Sequence, residues 1–151
     1  LYLGHAHVLL RDATDGPAGC LIGLPGRDLP ACRAADFAAF CDDLGSGPEA
    51  DAVLDEVVPA GHALFHTVAD DHYYISRITI DPVLRGNGLG QALIDHVLEQ
   101  TRRDGFRHVS LNVWADNVPA MRLYRSAGFR IVDTGHSPAA AMSYHSMTLD
   151  L

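Results

Sequence analysis

Three glycines in six residues, Arg85-Gly86-Asn87-Gly88-Leu89-Gly90, separate two runs of opposite character. Before them, residues 72–80 (HYYISRITI) are rich in aromatic and β-branched side chains and predict a strand. After them, Leu89, Leu93, Ile94, Val97 and Leu98 fall on one face of a helix that runs to a Gly105 cap, with Arg102 and Arg103 suited to its negative end. A strand, a glycine turn and a helix in that order expose a row of backbone N–H groups at a helix N-terminus, which favours a phosphate or pyrophosphate. A Walker A loop is excluded, because it needs a Gly-Lys pair and all eleven basic residues of this chain are Arg. A dinucleotide fingerprint fits poorly, since the third glycine comes two residues after the second and no acid stands at the ribose position. Taken alone, the stretch reads equally as an ordinary strand-to-helix turn.

The remaining pattern surrounds this unit with short elements. A hairpin is expected from residues 5–10 and 18–24, joined around Asp15-Gly16-Pro17. Helical spacing of Ala34, Phe37, Ala38, Phe40 and Cys41 predicts a helix over 33–44, and a second, short one follows over 49–58 before Pro59-Ala60-Gly61. Beyond the glycine turn come a strand at 107–114, a helix at 118–127, and strands at 129–133 and 144–151, with a loop at 137–141. The order is β-β-α-α-β-α-β-α-β-β over one domain, residues 1–151.

Composition narrows the function classes. With 48% hydrophobic and 20% charged residues in 151 the chain is globular rather than disordered, and no apolar run is long enough to span a membrane. Its net charge of −8 disfavours binding to a phosphate backbone. Residues 1–71 carry twelve acids against three Arg, residues 72–151 seven acids against eight Arg, so the first half suits a cationic ligand or is simply a solvated face. Three cysteines without CxxC spacing indicate neither a disulfide framework nor a zinc site, and the expected compartment is the cytoplasm. No metal is assigned: His62 and His66 have i,i+4 spacing without the Glu of HExxH, and His5 and His7 lack an evident third ligand. Nor does any Ser have the setting of a hydrolase nucleophile.

The strand, Asp81-Pro82, Arg85-x-x-Gly88-x-Gly90 and the amphipathic helix are followed by Leu111-Asn112-Val113, Asn117, Ala120, Tyr124 and Gly128-Phe129. Over residues 73–132 this resembles the GNAT superfamily of acyl-CoA-dependent N-acyltransferases. The resemblance implies an α/β (α+β) fold with a mixed, mostly antiparallel sheet flanked by helices. It also implies transfer of acetyl from acetyl-CoA, a co-substrate, to a primary amine by direct attack in a ternary complex. The backbone of Ile78, Thr79 and Ile80 would pair with the pantetheine arm and polarise the thioester carbonyl. The amides of Arg85, Gly86, Asn87, Gly88, Leu89, Gly90 and Gln91 would hold the pyrophosphate, in a gap opened where the strand splays from residues 107–114.

Tyr124 matches the position of a general acid that protonates the departing thiolate, or else is a buried aromatic of the Tyr-x-x-x-Gly-Phe pattern. Asn117 matches a residue that contacts the CoA arm and is also a natural helix N-cap. Asn112 stands where some members carry a Glu base, and an amide takes no proton. That leaves His72, Asp71, His145 or a water chain for the amine proton, His72 being the candidate retained.

Two departures accompany the resemblance. The sequence opens at the hairpin and without Met, so N-terminal elements that help wall the acceptor site are expected to precede it. A helical pair also stands between hairpin and strand, where its acidic surface can replace that wall. The acceptor is a small-molecule or peptide amine, cationic if the charge asymmetry is used, and a homodimer is what many relatives form. The second function class is a non-catalytic acyl-CoA-binding sensor or pseudoenzyme subunit.

Overall fold

Along His108–Trp114 every second side chain, Val109, Leu111 and Val113, is buried, while Ser110 and Asn112 between them are half-buried. A period of two in burial is what a strand with one face on a core produces. A computed structural model of the chain describes residues 5–10, 16–55, 68–137 and 141–151. Its strands are β1 (His5–Leu10), β2 (Pro17–Pro25), β3 (His72–Ile80), β4 (His108–Trp114), β5 (Arg130–Ser137) and β6 (Met142–Asp150). Its helices are α1 (Leu29–Leu44), a shorter α2 over residues 48–55, α3 (Leu89–Arg103) and α4 (Val118–Ser126).

The six strands form one sheet in the order β1-β2-β3-β4-β6-β5. Every neighbouring pair is antiparallel except β3 and β4, which run parallel and are joined across the sheet by α3. This is the mixed, mostly antiparallel sheet flanked by helices that the sequence led us to expect. Parallel neighbours need a long crossover, and residues 81–107 are long enough to supply it with a helix.

Both long helices of the second half pack on one face. Leu93, Ile94, Val97 and Leu98 of α3 join Met121 and Tyr124 of α4, Phe129, and the inward strand residues Tyr73, Ile75, Val109, Leu111, Val113, Met147 and Leu149 in one core. The two helices touch where Gly90 meets Leu123: a Cβ at Gly90 would stand 3.1 Å from Leu123 Cδ2. The Ser126 hydroxyl donates to the Gln91 carboxamide oxygen in the same contact.

The helical pair departs from expectation at its start and in its exposure. α1 begins at Leu29, four residues ahead of the apolar spacing, because Pro30 in its first turn has the φ a helix needs and gives up an N–H that would be unpaired anyway. Leu29 and Cys32 are the residues it buries, against Leu24 and Tyr74 on the second sheet face. The apolar spacing that marks the helix in the sequence lies on its outward side, with Phe37 45% and Phe40 37% exposed.

Other boundaries shift by one or two residues, except that β5 runs on to Ser137 to stay paired with β6 as far as Met142. The expected end of the second helix past residue 55, the break at 59–61, the His62 and His66 pair and the interior of the 137–141 loop lie outside the described residues. Among the described residues no helix is long and apolar enough to cross a membrane.

Candidate active site

The parallel pair opens halfway along. Pairing of β3 with β4 runs from His72 opposite His108 to Ile75 opposite Leu111 and ends there, so residues 76–80 bond β2 on one side and face no strand on the other. The cause sits at the same point: Ile22 pairs with Arg77 and Gly23 with Ile75, leaving Ser76 as the extra residue of a β-bulge. A bulge bends its strand and sharpens the twist, which carries the end of β3 away from β4. Burial along β3 switches accordingly from Tyr73, Tyr74 and Ile75, all buried, to exposed Ser76 and Arg77.

At the end of β3 the chain turns through Asp81, whose carboxylate accepts from the Val83 N–H at 2.9 Å. The Arg85 guanidinium donates back to the Ile80 carbonyl at 3.2 Å, and the Asn87 carboxamide donates to the Leu84 carbonyl at 3.1 Å. Gly86 and Gly88 take φ of 83° and 78°, the left-handed region in which glycine alone is unstrained. These internal bonds fix the loop with the N-terminus of α3 at its exit. No side chain caps that terminus, so the first-turn amides remain donors for a ligand.

Tyr124 comes to this region on α4, and the local sequence fixes how. Asn117 caps the helix by accepting from the Ala120 N–H at 3.3 Å. At the other end Gly128 has φ 97°, its N–H bonds the Arg125 carbonyl, and the Phe129 N–H bonds the Tyr124 carbonyl at 3.0 Å. This is a Schellman cap, which brings the residue after the glycine against the residue five positions earlier. The Tyr124 and Phe129 rings accordingly meet at 5.9 Å and 63°. Tyr-x-x-x-Gly-Phe thus encodes both the helix stop and the seat of the tyrosine.

Burial, together with the neighbouring Tyr74 phenol, pushes the Tyr124 hydroxyl up to about 12. It therefore stays protonated at any ordinary pH. Tyr74 accepts from the Asn112 carboxamide at 3.4 Å and bonds Arg33 of α1, and burial raises its phenol as well. Arg33, its guanidinium lowered by burial, is the residue sequence reasoning passed over. Its signal was available, as the sole basic residue in an acidic helix.

His72 stands elsewhere. It opens β3, four residues and therefore about 13 Å from the bulge. Its Nδ1 lies 2.5 Å from the Ser110 hydroxyl and its ring 4.8 Å from that of His108. His108 in turn lies 2.8 Å from the Asp150 carboxylate, which Arg130 also binds at 2.6 Å. Burial and the charge of His108 hold His72 below its usual range, against the opposing pull of Asp71 and Asp150. A depressed imidazole stabilises the fold while neutral, so that contribution is complete above about pH 6.5 and is lost as pH falls through the lowered value. The thermal midpoint should fall from pH 7 to pH 5, and less steeply in His72→Gln; identical slopes by circular dichroism would assign the acid limb to other groups.

Comparison with known proteins agrees with this geometry. The acetyltransferase (GNAT) family model matches residues 9–129. The chain belongs to this family. N-alpha-acetyltransferase 40 of Saccharomyces cerevisiae is 34% identical over 93 residues, 57% of this chain and 32% of that protein. The [ribosomal protein bS18]-alanine N-acetyltransferase of Escherichia coli K12 is 34% identical over 70 residues, 46% of this chain and 47% of that protein. This chain therefore matches less than half the length of either relative. The crystal structure of an N-acetyltransferase from Staphylococcus aureus Mu50 superposes with a TM-score of 0.66 at 26% identity, covering 96% of this chain and 69% of that one.

Proposed function

We propose that this GNAT domain carries the acetyl group of acetyl-CoA to a primary amine by direct attack in a ternary complex. The observation that carries the reading is the parallel β3/β4 pair that parts after Ile75 and Leu111, with the glycine loop at one end of the opening and Tyr124 in the core that packs on the same strands. The edge of β3 from Ile78 through Thr79 to Ile80 faces no strand on the side away from β2 and can bond an extended ligand arm as an added strand would. The amides from Arg85 to Gln91, at an uncapped helix N-terminus, suit the pyrophosphate, and Asn117 borders the arm from its cap position. Bound there, acetyl-CoA supplies an activated acyl group.

The chain's own groups then divide the work. Amides of the β3 edge donate to the carbonyl oxygen as negative charge gathers on it. The neutral amine forms the C–N bond, the C–S bond breaks, and Tyr124 donates its hydroxyl proton to the leaving sulfur, recovering it afterwards from solvent. With the phenol near 12 and a thiol near 8.5, full transfer to sulfur runs uphill by about 5 kcal/mol, so the hydrogen bond to developing thiolate charge supplies most of the help. Asn112 takes no proton, and the amine's proton leaves along the polar sheet face towards water and His72, whose imidazole burial keeps neutral.

Titration calorimetry with acetyl-CoA, followed by thiol release on addition of a panel of amines, tests the proposal. Binding with amine-dependent release supports it. Binding without release from any amine would favour a non-catalytic acyl-CoA-binding protein, a role the amide at position 112 would suit. Absence of binding would overturn both.

A further inference from the structure

The sheet face away from α3 and α4 carries an ordered array of polar side chains. Register alone sets its rows: Tyr74, Ser110 and Thr148 stand opposite one another across β3, β4 and β6, and the next row is Asn112, Ser146 and Asp133 across β4, β6 and β5. A strand face packed on a core would be apolar, and the opposite faces of these same strands are. Over the two rows lies a cavity of about 310 Å³, walled by Val68 and Ala69 where the chain returns to β3 after the helical pair. That volume is at the small end of the range of ligand pockets, about 300–1,000 Å³.

The placement ties this cavity to the opening between β3 and β4. Asn112 is the first residue of β4 beyond the last parallel pair, and its carboxamide bonds the Tyr74 hydroxyl across the mouth of the gap. A molecule in the cavity therefore reaches the opening from the face opposite the glycine loop and Tyr124. Two hydroxyls in the floor are already committed, Thr148 to the Val109 carbonyl and Ser110 to His72. Ser146, the cross-strand neighbour of Asn112, is different: its hydroxyl is shut off from bulk water and has no hydrogen-bond partner among the described residues. A buried hydroxyl left unpaired keeps the full cost of its desolvation, which a ligand with its own polar groups removes.

We propose that this hydroxyl-lined cavity is the acceptor pocket and that it takes a polyhydroxylated primary amine, an amino sugar or amino alcohol, with a ligand hydroxyl on Ser146. The inference deepens the transferase reading and rests on it for the identity of the reacting group. It also replaces the acidic helices as the source of acceptor choice. None of Asp42, Asp43, Asp51 and Asp55 on α1 and α2 lines the cavity, whereas Asp133 does.

The test uses glucosamine and cyclohexylamine, rings of equal size with and without hydroxyls. Binding of each is measured by calorimetry to the intact protein saturated with desulfo-CoA, in wild type and in Ser146→Ala. Because no bond to a described residue is lost, Ser146→Ala should melt no lower than wild type while binding glucosamine about tenfold more weakly and cyclohexylamine unchanged. Glucosamine that fails to bind, binds no better than cyclohexylamine, or binds Ser146→Ala as well as wild type overturns the pocket assignment. Failure of the transferase reading looks different: glucosamine binds as expected, and no thiol is released when acetyl-CoA replaces desulfo-CoA.

Discussion

Tyr124→Phe is expected to lower kcat by about 100-fold or more while leaving the affinity for acetyl-CoA within a factor of two. The substitution keeps the ring that packs on Phe129 and the backbone of the Schellman cap, so α4 and its seat in the core are retained. No hydrogen bond among the described residues depends on the hydroxyl, and a stability loss is not expected to accompany the loss of rate. What disappears is a donor held protonated up to about pH 12. The ratio of wild-type to variant rates should therefore be flat between about pH 7 and pH 10, since neither enzyme titrates at this position in that window. Steady-state thiol release across that range checks both statements. Undiminished turnover in the variant would remove Tyr124 from the chemistry and leave the fold assignment standing.

The largest effect on stability is expected at Ile94. Its side chain is fully buried in the core that α3 and α4 share with the sheet. Ile94→Ala removes three carbons from a close-packed site and should cost about 3–4 kcal/mol, the transfer term plus the cavity left behind. For a chain of this size that lowers the thermal midpoint by about 10 °C. Ile94→Val, which removes one methyl group, should cost about 1 kcal/mol, so the two variants together calibrate how far the site collapses. Chemical denaturation with equal slopes for all three proteins would place the change in the folded core, and an Ile94→Ala midpoint within 2 °C of wild type would show that α3 is not held by this contact.

The acceptor half of the proposed site follows a different physical logic from the proposed donor half. There residues 78–91 and 117–129 would act through backbone groups, caps and left-handed glycines, features that a short stretch of sequence encodes by itself. The glycine turn could be read for that reason, and so could the Asn117 cap; the role proposed for Tyr124 came from the family resemblance, and the cap at Gly128 and Phe129 sets its seat. The polar face was not legible. Tyr74, Asn112 and Ser146 lie 38 and 34 residues apart in the chain and become neighbours only through the register of three strands. Arg33 stood out as the sole basic residue of an acidic helix, but nothing local says which strand residue that helix will cover.

Local rules also explain what the spacing in α1 left undecided. Helical spacing of Ala34, Phe37, Ala38, Phe40 and Cys41 is a correct reason to expect a helix, and the helix is there. Spacing does not say which way the stripe faces, and packing of Leu29 and Cys32 on Leu24 and Tyr74 turns it outward.

The order of elements, the glycine turn between strand and helix and the Asn117 cap could be read from the residues alone. Each depends on contacts between residues close in the chain, or on a connection length that permits few topologies. The point where β3 and β4 part, and which polar side chains meet on the sheet face beside the opening, came from the folded structure. Those outcomes depend on one extra residue in a bulge and on strand register, where a shift of a single position exchanges the two faces of the sheet.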